Sequence, residues 1–148
     1  MQVVIQKVQS ANCVVDNLEI SKINQGFMIL VGFTKGDNLA VISKMCKKIA
    51  NLRIFEDEQG KMNLSIKDIK GEILLISQFT LYANPYEGNR PSFTDCLNGE
   101  LALPLYEAML KCLNDEFSIP TLGGAFGKHM VLNPVCDGPV TIQMEFKA

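Results

Sequence analysis

The sequence predicts a single α/β domain in which mixed strands and two main helices surround one core. Short apolar runs with strand periodicity recur along the chain between turn-forming residues, and two longer stretches carry helical periodicity. The 148 residues, 47% apolar and 20% charged, fit the size of one domain and can bury a core. No repeat, low-complexity tract or linker divides residues 1–148. We therefore expect one domain over this range.

Three strands are predicted before the first helix. Apolar and polar residues alternate over residues 3–9, which is typical of a half-buried strand. Residues 13–16 and 18–23 form a predicted hairpin around Asp16-Asn17, a pair that favours a tight turn. The continuous apolar run 27–33 predicts a strand that is buried on both faces.

Two amphipathic helices are predicted. The first extends from Asp37, as N-cap, to about Leu52, and the second covers about residues 101–117. Pro104 is compatible with the second helix only if it falls in the first turn, where its missing N–H costs nothing. The expected apolar faces are Val41, Ile42, Met45, Cys46 and Ile49 in the first helix, with Lys44, Lys47 and Lys48 opposite, and Leu105, Tyr106, Met109, Leu110 and Leu113 in the second.

The remaining elements are strands and loops. Residues 53–55 form a predicted short strand, followed by a turn in which Gly60 can adopt a positive φ. Residues 72–81 form a longer apolar strand. The proline- and glycine-containing segment 84–95 is a surface loop of the length at which function often occurs. Two closing strands are expected over about 130–135 and 140–146, after an irregular glycine-rich link.

Composition excludes several classes of protein. The longest apolar run, 27–33, is far shorter than the roughly 20 residues of a membrane helix, and no export signal begins the chain, so we expect a cytoplasmic protein. The five cysteines are odd in number and lack a Cys-x-x-Cys pair, which favours free thiols over disulfides or a thiolate zinc site. A net charge of −2 favours local rather than extensive contact with nucleic acid.

Polar residues at the end of the apolar strand 72–81 are the first candidate for chemistry. Ser77, Gln78 and Thr80 either satisfy backbone groups at the strand end or form a pocket floor, with N–H groups available to an oxyanion. Arg90 could bind a phosphate or carboxylate, or pair with a surface acid. His129, the only histidine, could act as a base for Ser77 or Thr80, although nothing in the sequence places them together.

Gly138-Pro139 is the second candidate, either as an ordinary turn or as main chain that approaches a ligand closely. No phosphate-binding glycine loop and no conventional acid–base pair is present. Considered separately, these segments identify no conventional catalytic apparatus.

Together, the segments resemble the D-aminoacyl-tRNA deacylases, also called D-tyrosyl-tRNA deacylases, over nearly the full length of the chain. The matching segments, in order, are Ile5-Gln6-Lys7-Val8, Arg53-Ile54-Phe55, Gly60-Lys61-Met62-Asn63-Leu64, Ser77-Gln78-Phe79-Thr80-Leu81, Gly88-Asn89-Arg90-Pro91-Ser92-Phe93, Gly124-Ala125-Phe126-Gly127, Met130 and Asp137-Gly138-Pro139-Val140-Thr141. The resemblance implies mostly antiparallel strands in a barrel-like layered core. It also implies hydrolysis of the ester between a D-amino acid and the 3′ end of tRNA.

The resemblance further implies a homodimer without metal or organic cofactor. Ser77, Gln78, Phe79 and Thr80 would line the pocket, and the amides of Phe79 and Thr80 would hold the oxyanion while the 2′-hydroxyl of the terminal adenosine helps to activate water. Gly138-Pro139, with a cis bond, would enter from the partner subunit and screen chirality. Supporting roles are implied for Lys7, Arg90 and Met130.

Main-chain screening has a physical rationale, because a rigid backbone can exclude one enantiomer whatever the side chain. Glycine would partly escape that screen, so glycyl-tRNA is a candidate side substrate. Two residues depart from the family, which usually carries Arg at the position of Lys7 and Asn at that of Cys136. Two alternatives remain open: a non-catalytic nucleic-acid-binding module, and a small-ester hydrolase using Thr80 or Ser77 with His129.

Overall fold

The computed structural model describes residues 1–148 and has an α/β fold, a nearly closed mixed sheet with two helices, as the sequence predicts. Three of the five strand pairings in the main sheet are antiparallel. No helix of the protein is long and apolar enough to span a membrane. The strands are β1 (Gln2–Val15), β2 (Leu18–Ile23), β3 (Gly26–Gly32), β4 (Phe55–Glu56), β5 (Met62–Leu64), β6 (Glu72–Ser77), β7 (Thr121–Gly123) and β8 (Val131–Glu145), and the helices are α1 (Leu39–Asn51) and α2 (Gly99–Lys111).

Strand β1 organises the sheet. Its first half pairs with β3 and its second half pairs with β2, both antiparallel, while β8 runs antiparallel along its other side. Strand β6 lies parallel to β3 and β7 lies parallel to β6, so the carboxyl ends of β3 and β6 meet at one edge. Strand β8 hydrogen-bonds to β1 alone, and its other edge is open in the protomer.

The core lies on both faces of the central strands. The predicted apolar stripe of α1 is buried against one face, with Phe27 and Ile29 of β3 and with α2, and the three lysines of α1 are exposed. A second cluster on the opposite face includes Met28 and Leu74. The prediction that strand 27–33 is buried on both faces is therefore confirmed.

Both helix starts differ from the prediction. The N-cap of α1 is Asn38, whose side chain accepts a hydrogen bond from the amide of Val41 at 3.2 Å. Asp37 instead pairs with the buried amino group of Met1 at 2.8 Å, a partner that the local sequence does not reveal. Helix α2 begins at Gly99, so Pro104 falls in the second turn rather than the first. The α-helical part ends at Lys111, where a π-helical turn (Cys112–Glu116) continues.

Several strand boundaries also differ from those that the sequence predicts. Strand β6 ends at Ser77, and a 3₁₀ turn (Phe79–Tyr82) replaces the rest of the predicted strand 72–81. The short strand predicted at 53–55 occupies Phe55–Glu56. The two closing strands form the single strand β8, with register shifts opposite residues 6–10 of β1. A proline is tolerated within it because an edge strand has amides that need no partner.

Candidate active site

A cavity of about 670 Å³ lies at the carboxyl ends of β3 and β6. Ligand sites of α/β proteins commonly occur where parallel strands end, and this volume is within the range of small-ligand pockets. Its lining includes Ser77, Gln78 and Phe79, which leave β6, and Gly32 at the end of β3. A Cβ atom on Gly32 would lie 2.8 Å from the carbonyl oxygen of Gln78, so the two strand ends approach closely only because this residue is glycine.

The segment after β6 presents main-chain groups at the cavity. The amide of Gln78 donates to the carbonyl of Val31 at 2.7 Å, which continues the parallel pairing by one residue. The chain then enters the 3₁₀ turn, whose first amides, those of Phe79 and Thr80, have no acceptor within the turn. The Thr80 hydroxyl accepts a hydrogen bond from the side-chain amide of Gln78, and Thr80 is exposed outside the cavity lining.

Two aromatic side chains form one side of the cavity mouth. The rings of Phe79 and Phe93 meet edge to face, with centroids 5.5 Å apart, and both rings are about half exposed. Phe93 comes from the predicted loop 84–95, which Asn84 and Ser92 close through a reciprocal pair of backbone hydrogen bonds. Arg90 lies in the same loop, exposed, without an ion pair and outside the cavity lining.

Tyr106 of α2 braces the cavity from behind. Its hydroxyl donates to the carbonyl of Leu75 at 2.7 Å and accepts a hydrogen bond from the amide of Gly124 at 3.2 Å. Its ring packs against Phe126, which lines the cavity, and burial raises the pKa of Tyr106, so the hydroxyl stays protonated at neutral pH. The sequence placed Tyr106 in the core but gave no role to its hydroxyl; the available signal is that a buried tyrosine usually has a hydrogen-bond partner.

A tight turn carries two basic side chains, Lys128 and His129, to the cavity. Gly127 has a φ of 77°, and the amide of Lys128 donates to the carbonyl of Ala125 at 3.1 Å. Met130, a predicted supporting residue, lines the cavity, and its sulfur accepts a hydrogen bond from the amide of Ala125 at 3.4 Å. His129 lines the same cavity.

The structure brings one of the alternative catalytic pairs into the same cavity. Ser77 and His129 both line it, whereas Thr80 does not. The side chain of His129 forms no hydrogen bond with Ser77 or Thr80. The arrangement therefore lacks the hydrogen bond between nucleophile and base that characterises a Ser–His pair.

Gly138-Pro139 lies on β8 and does not line the cavity of its own protomer. The peptide bond is cis, and Gly138 has a φ of 123°. Leu132, on the same strand, lines the cavity, whereas Gly138 and Pro139 lie where the register between β8 and β1 shifts. Gly138-Pro139 therefore does not join Ser77 in one protomer.

Two residues that the sequence resemblance marked as unusual, Lys7 and Cys136, flank this element. Lys7 lies on β1 where the register to β8 shifts, its side chain is buried, and its ammonium lies 5.5 Å from the ring centroid of Phe55. Cys136 is exposed on β8 and is paired with Val8 of β1. No group of three His, Cys, Asp or Glu side chains in the protein is arranged to hold a metal ion.

The chain is similar to one family throughout. The family described as D-Tyr-tRNA(Tyr) deacylase matches residues 4–145. Proteins named D-aminoacyl-tRNA deacylase from Lactobacillus acidophilus and Finegoldia magna are 48% and 46% identical, over 98% and 100% of this chain and 99% of each relative.

Two solved structures share the fold. One, described as c-Myc DNA Unwinding Element Binding Protein, has a TM-score of 0.94 and 37% identity, and all of both chains is covered. The other, described as a probable eukaryotic D-amino acid tRNA deacylase, has a TM-score of 0.84 and covers 97% of each chain; at 14% identity it supports the fold alone.

Proposed function

The chain belongs to the D-Tyr-tRNA(Tyr) deacylase family, and on that premise we propose that it hydrolyses the ester that links a D-amino acid to the 3′ end of tRNA. The enzyme is a carboxylic ester hydrolase whose substrate is an aminoacyl-tRNA. We place it in the cytoplasm as a homodimer, with residues 1–148 acting as one deacylase domain. The observation that carries the proposal is a cavity large enough for an aminoacylated nucleoside and lined by Phe79, whose main-chain amide has no acceptor in the turn after β6.

The proposed chemistry relies on the substrate for activation of water. An aminoacyl ester is already activated, and its neighbouring 2′-hydroxyl is held next to the reacting carbonyl by the ribose itself. The amides of Phe79 and Thr80 would stabilise the oxyanion that forms when water attacks. This division of roles accords with a cavity in which His129 and Ser77 are not hydrogen-bonded to each other, and it requires neither a metal nor an organic cofactor.

We propose that stereospecificity comes from the partner subunit. Gly138-Pro139 does not line its own cavity, whereas the open edge of β8 offers a surface for a second copy. In the proposed dimer, the main chain of Gly138-Pro139 enters the neighbouring cavity and excludes an L-oriented side chain. Glycyl-tRNA, which has no side chain at the α-carbon, would be cleaved as a side substrate.

The central experiment compares D-tyrosyl-tRNA with L-tyrosyl-tRNA. We expect release of D-tyrosine while the L-ester survives; equal cleavage of both, or of neither, would refute the proposed function. For the subunit arrangement, a Gly138→Ala chain mixed with a Gln78→Ala chain should regain activity, because a mixed dimer contains one site with both segments intact. Failure of proven mixed dimers to regain activity would refute a shared site.

A second candidate function is suggested by the structural relative described as a DNA unwinding element binding protein. Under this alternative the chain would bind duplex DNA without hydrolysing an ester. The net charge of −2 disfavours it, because extensive phosphate contact usually requires a basic surface. Steeply salt-dependent duplex binding in the absence of deacylation would support it. The small-ester alternative would instead require a covalent adduct with a serine-reactive probe that is lost in His129→Ala.

A further inference from the structure

The cavity mouth carries two basic side chains and no acidic one. Lys128 and His129 line the cavity, and no aspartate or glutamate does, although the chain as a whole has a net charge of −2. Both residues are exposed, and neither side chain forms an ion pair or hydrogen bond within the protein. These two side chains are thus free to meet an anion in a ligand.

Local hydrogen bonds fix the main chain that carries the two side chains. The turn from Ala125 to Lys128 is closed by a backbone hydrogen bond of 3.1 Å, and Gly127 adopts the left-handed conformation that the turn needs. Met130 follows immediately and is tied back to Ala125. Lys128 and His129 are therefore presented by an ordered segment on the cavity, not by a free loop.

We propose that Lys128 and His129 bind the phosphodiester on the 5′ side of the terminal adenosine of the tRNA substrate. This inference rests on the proposed function. With the ester at the amides of Phe79 and Thr80, the amino acid brings a cationic α-ammonium group, which basic side chains would repel. The nearest anion in the substrate is the phosphate through which the nucleic acid leaves the cavity, so the basic mouth suits the RNA side.

This assignment gives His129 a binding role and not that of a general base. Its side chain is exposed and is not hydrogen-bonded to Ser77 or Thr80. A neutral imidazole can still donate one hydrogen bond to a phosphate oxygen, and Lys128 supplies a full charge. The pair would locate the end of the RNA and leave the chemistry to the main chain and the substrate.

The test uses two esters of the same D-amino acid. D-Tyrosyl-tRNA contains the phosphodiester, whereas D-tyrosyl-adenosine ends at the 5′-hydroxyl and lacks it. We compare the wild-type homodimer with the double variant Lys128→Ala/His129→Ala and with Lys61→Ala, which removes a lysine far along the sequence and outside the cavity lining. A urea melt of each variant verifies that it is folded.

For the tRNA ester, we expect kcat/KM of the double variant to fall roughly tenfold, since the exposed Lys128 ion pair is worth up to about fivefold in affinity and the His129 hydrogen bond about twofold more. Hydrolysis of D-tyrosyl-adenosine should stay unchanged. The slope of log kcat/KM against log salt concentration for the tRNA ester should become shallower by about one, because the double variant loses the one charge that Lys128 supplies. Lys61→Ala should match the wild type on both substrates, and Lys128→Arg should retain most of the tRNA activity.

Two results would overturn the inference: an equal loss on both esters in a folded double variant, or no loss on either. A collapse of D-tyrosyl-adenosine hydrolysis in His129→Ala alone would identify a base instead of a phosphate ligand. Failure of the wild-type protein to cleave either ester would refute the proposed function itself. Failure of this inference and failure of the proposed function are distinguishable, because only failure of the proposed function abolishes hydrolysis by the wild-type protein.

Discussion

Replacing Tyr106 with phenylalanine removes one oxygen atom and two hydrogen bonds at the back of the candidate active-site cavity. The hydroxyl donates to the Leu75 carbonyl at 2.7 Å and accepts from the Gly124 amide at 3.2 Å, and Tyr106 is only 4% exposed. A buried polar group left without a partner costs about 1–3 kcal/mol, and the half-buried Gly124 costs less because water can reach it. We expect Tyr106→Phe to lower the free energy of unfolding by about 2–3 kcal/mol.

Urea denaturation measures this loss, with an unchanged m-value showing that the folded state keeps its compactness. For a domain of this size, the thermal midpoint should fall by roughly 5–10 °C. Tyr86→Phe is the matched control, because Tyr86 is 91% exposed and its hydroxyl contacts nothing; it should stay within about 0.5 kcal/mol of the wild type. If Tyr106→Phe is no more destabilising than Tyr86→Phe, the bracing role of the hydroxyl is wrong.

The same substitution should reduce activity and alter the pH dependence of stability. Leu75 lies two residues before Ser77, and Gly124 precedes the turn that presents Lys128, so both sides of the cavity should loosen and kcat/KM should fall. Burial raises the pKa of Tyr106, whereas an unfolded tyrosine ionises near about 10. Its contribution to stability is complete below that value and is lost as the pH rises from it through the folded pKa, a decline that Tyr106→Phe should lack.

Three further substitutions test other parts of the structure. Asp37→Ala leaves the buried terminal ammonium without its 2.8 Å carboxylate partner and should cost about 3–5 kcal/mol in a thermal melt; a change below about 1 kcal/mol would contradict this. Gly138→Ala places a Cβ 2.9 Å from Val140 at a positive φ, so D-ester turnover should fall, whereas Gly60→Ala, at a positive φ in open space, should keep wild-type rates. Thr80→Val should keep turnover within a few-fold, because its amide is retained; a loss of about 10⁴-fold or more would identify its hydroxyl as the nucleophile.

The parts of the fold that burial dictates could be predicted from the sequence. The stripe of α1 from Val41 to Ile49 and the two buried faces of β3 follow from the periodicity of apolar residues, because each must meet a core. Other features, such as the start of α1, depend on contacts with residues distant in the sequence. Asp37 and Asn38 are equally good caps in isolation, and only the buried amino group of Met1, brought near by the sheet, separates their roles.

The candidate site also combines features that the sequence predicts with features that depend on tertiary contacts. Ser77, Gln78 and Thr80 stood out because polar residues follow an apolar run, and the structure places Ser77 and Gln78, but not Thr80, at the cavity. The apolar pattern continues through Leu81, so the end of β6 at Ser77 could not be predicted; β3 ends opposite it, and the chain turns instead of continuing unpaired. His129 was named only as a possible base and Lys128 was not named at all, because their neighbours in the cavity come from distant parts of the sequence.

The open edge of β8 has a consequence for the solubility of the isolated protomer. A strand of 15 residues with one unpaired edge is a template on which other extended chains can add, and exposed Val131 and Val135 make that addition more favourable. Pro134 and Pro139 interrupt the row of N–H donors along this strand, which is a common way of discouraging uncontrolled growth of a sheet. The two prolines of β8 thus limit the pairing of further strands with the open edge of a single protomer.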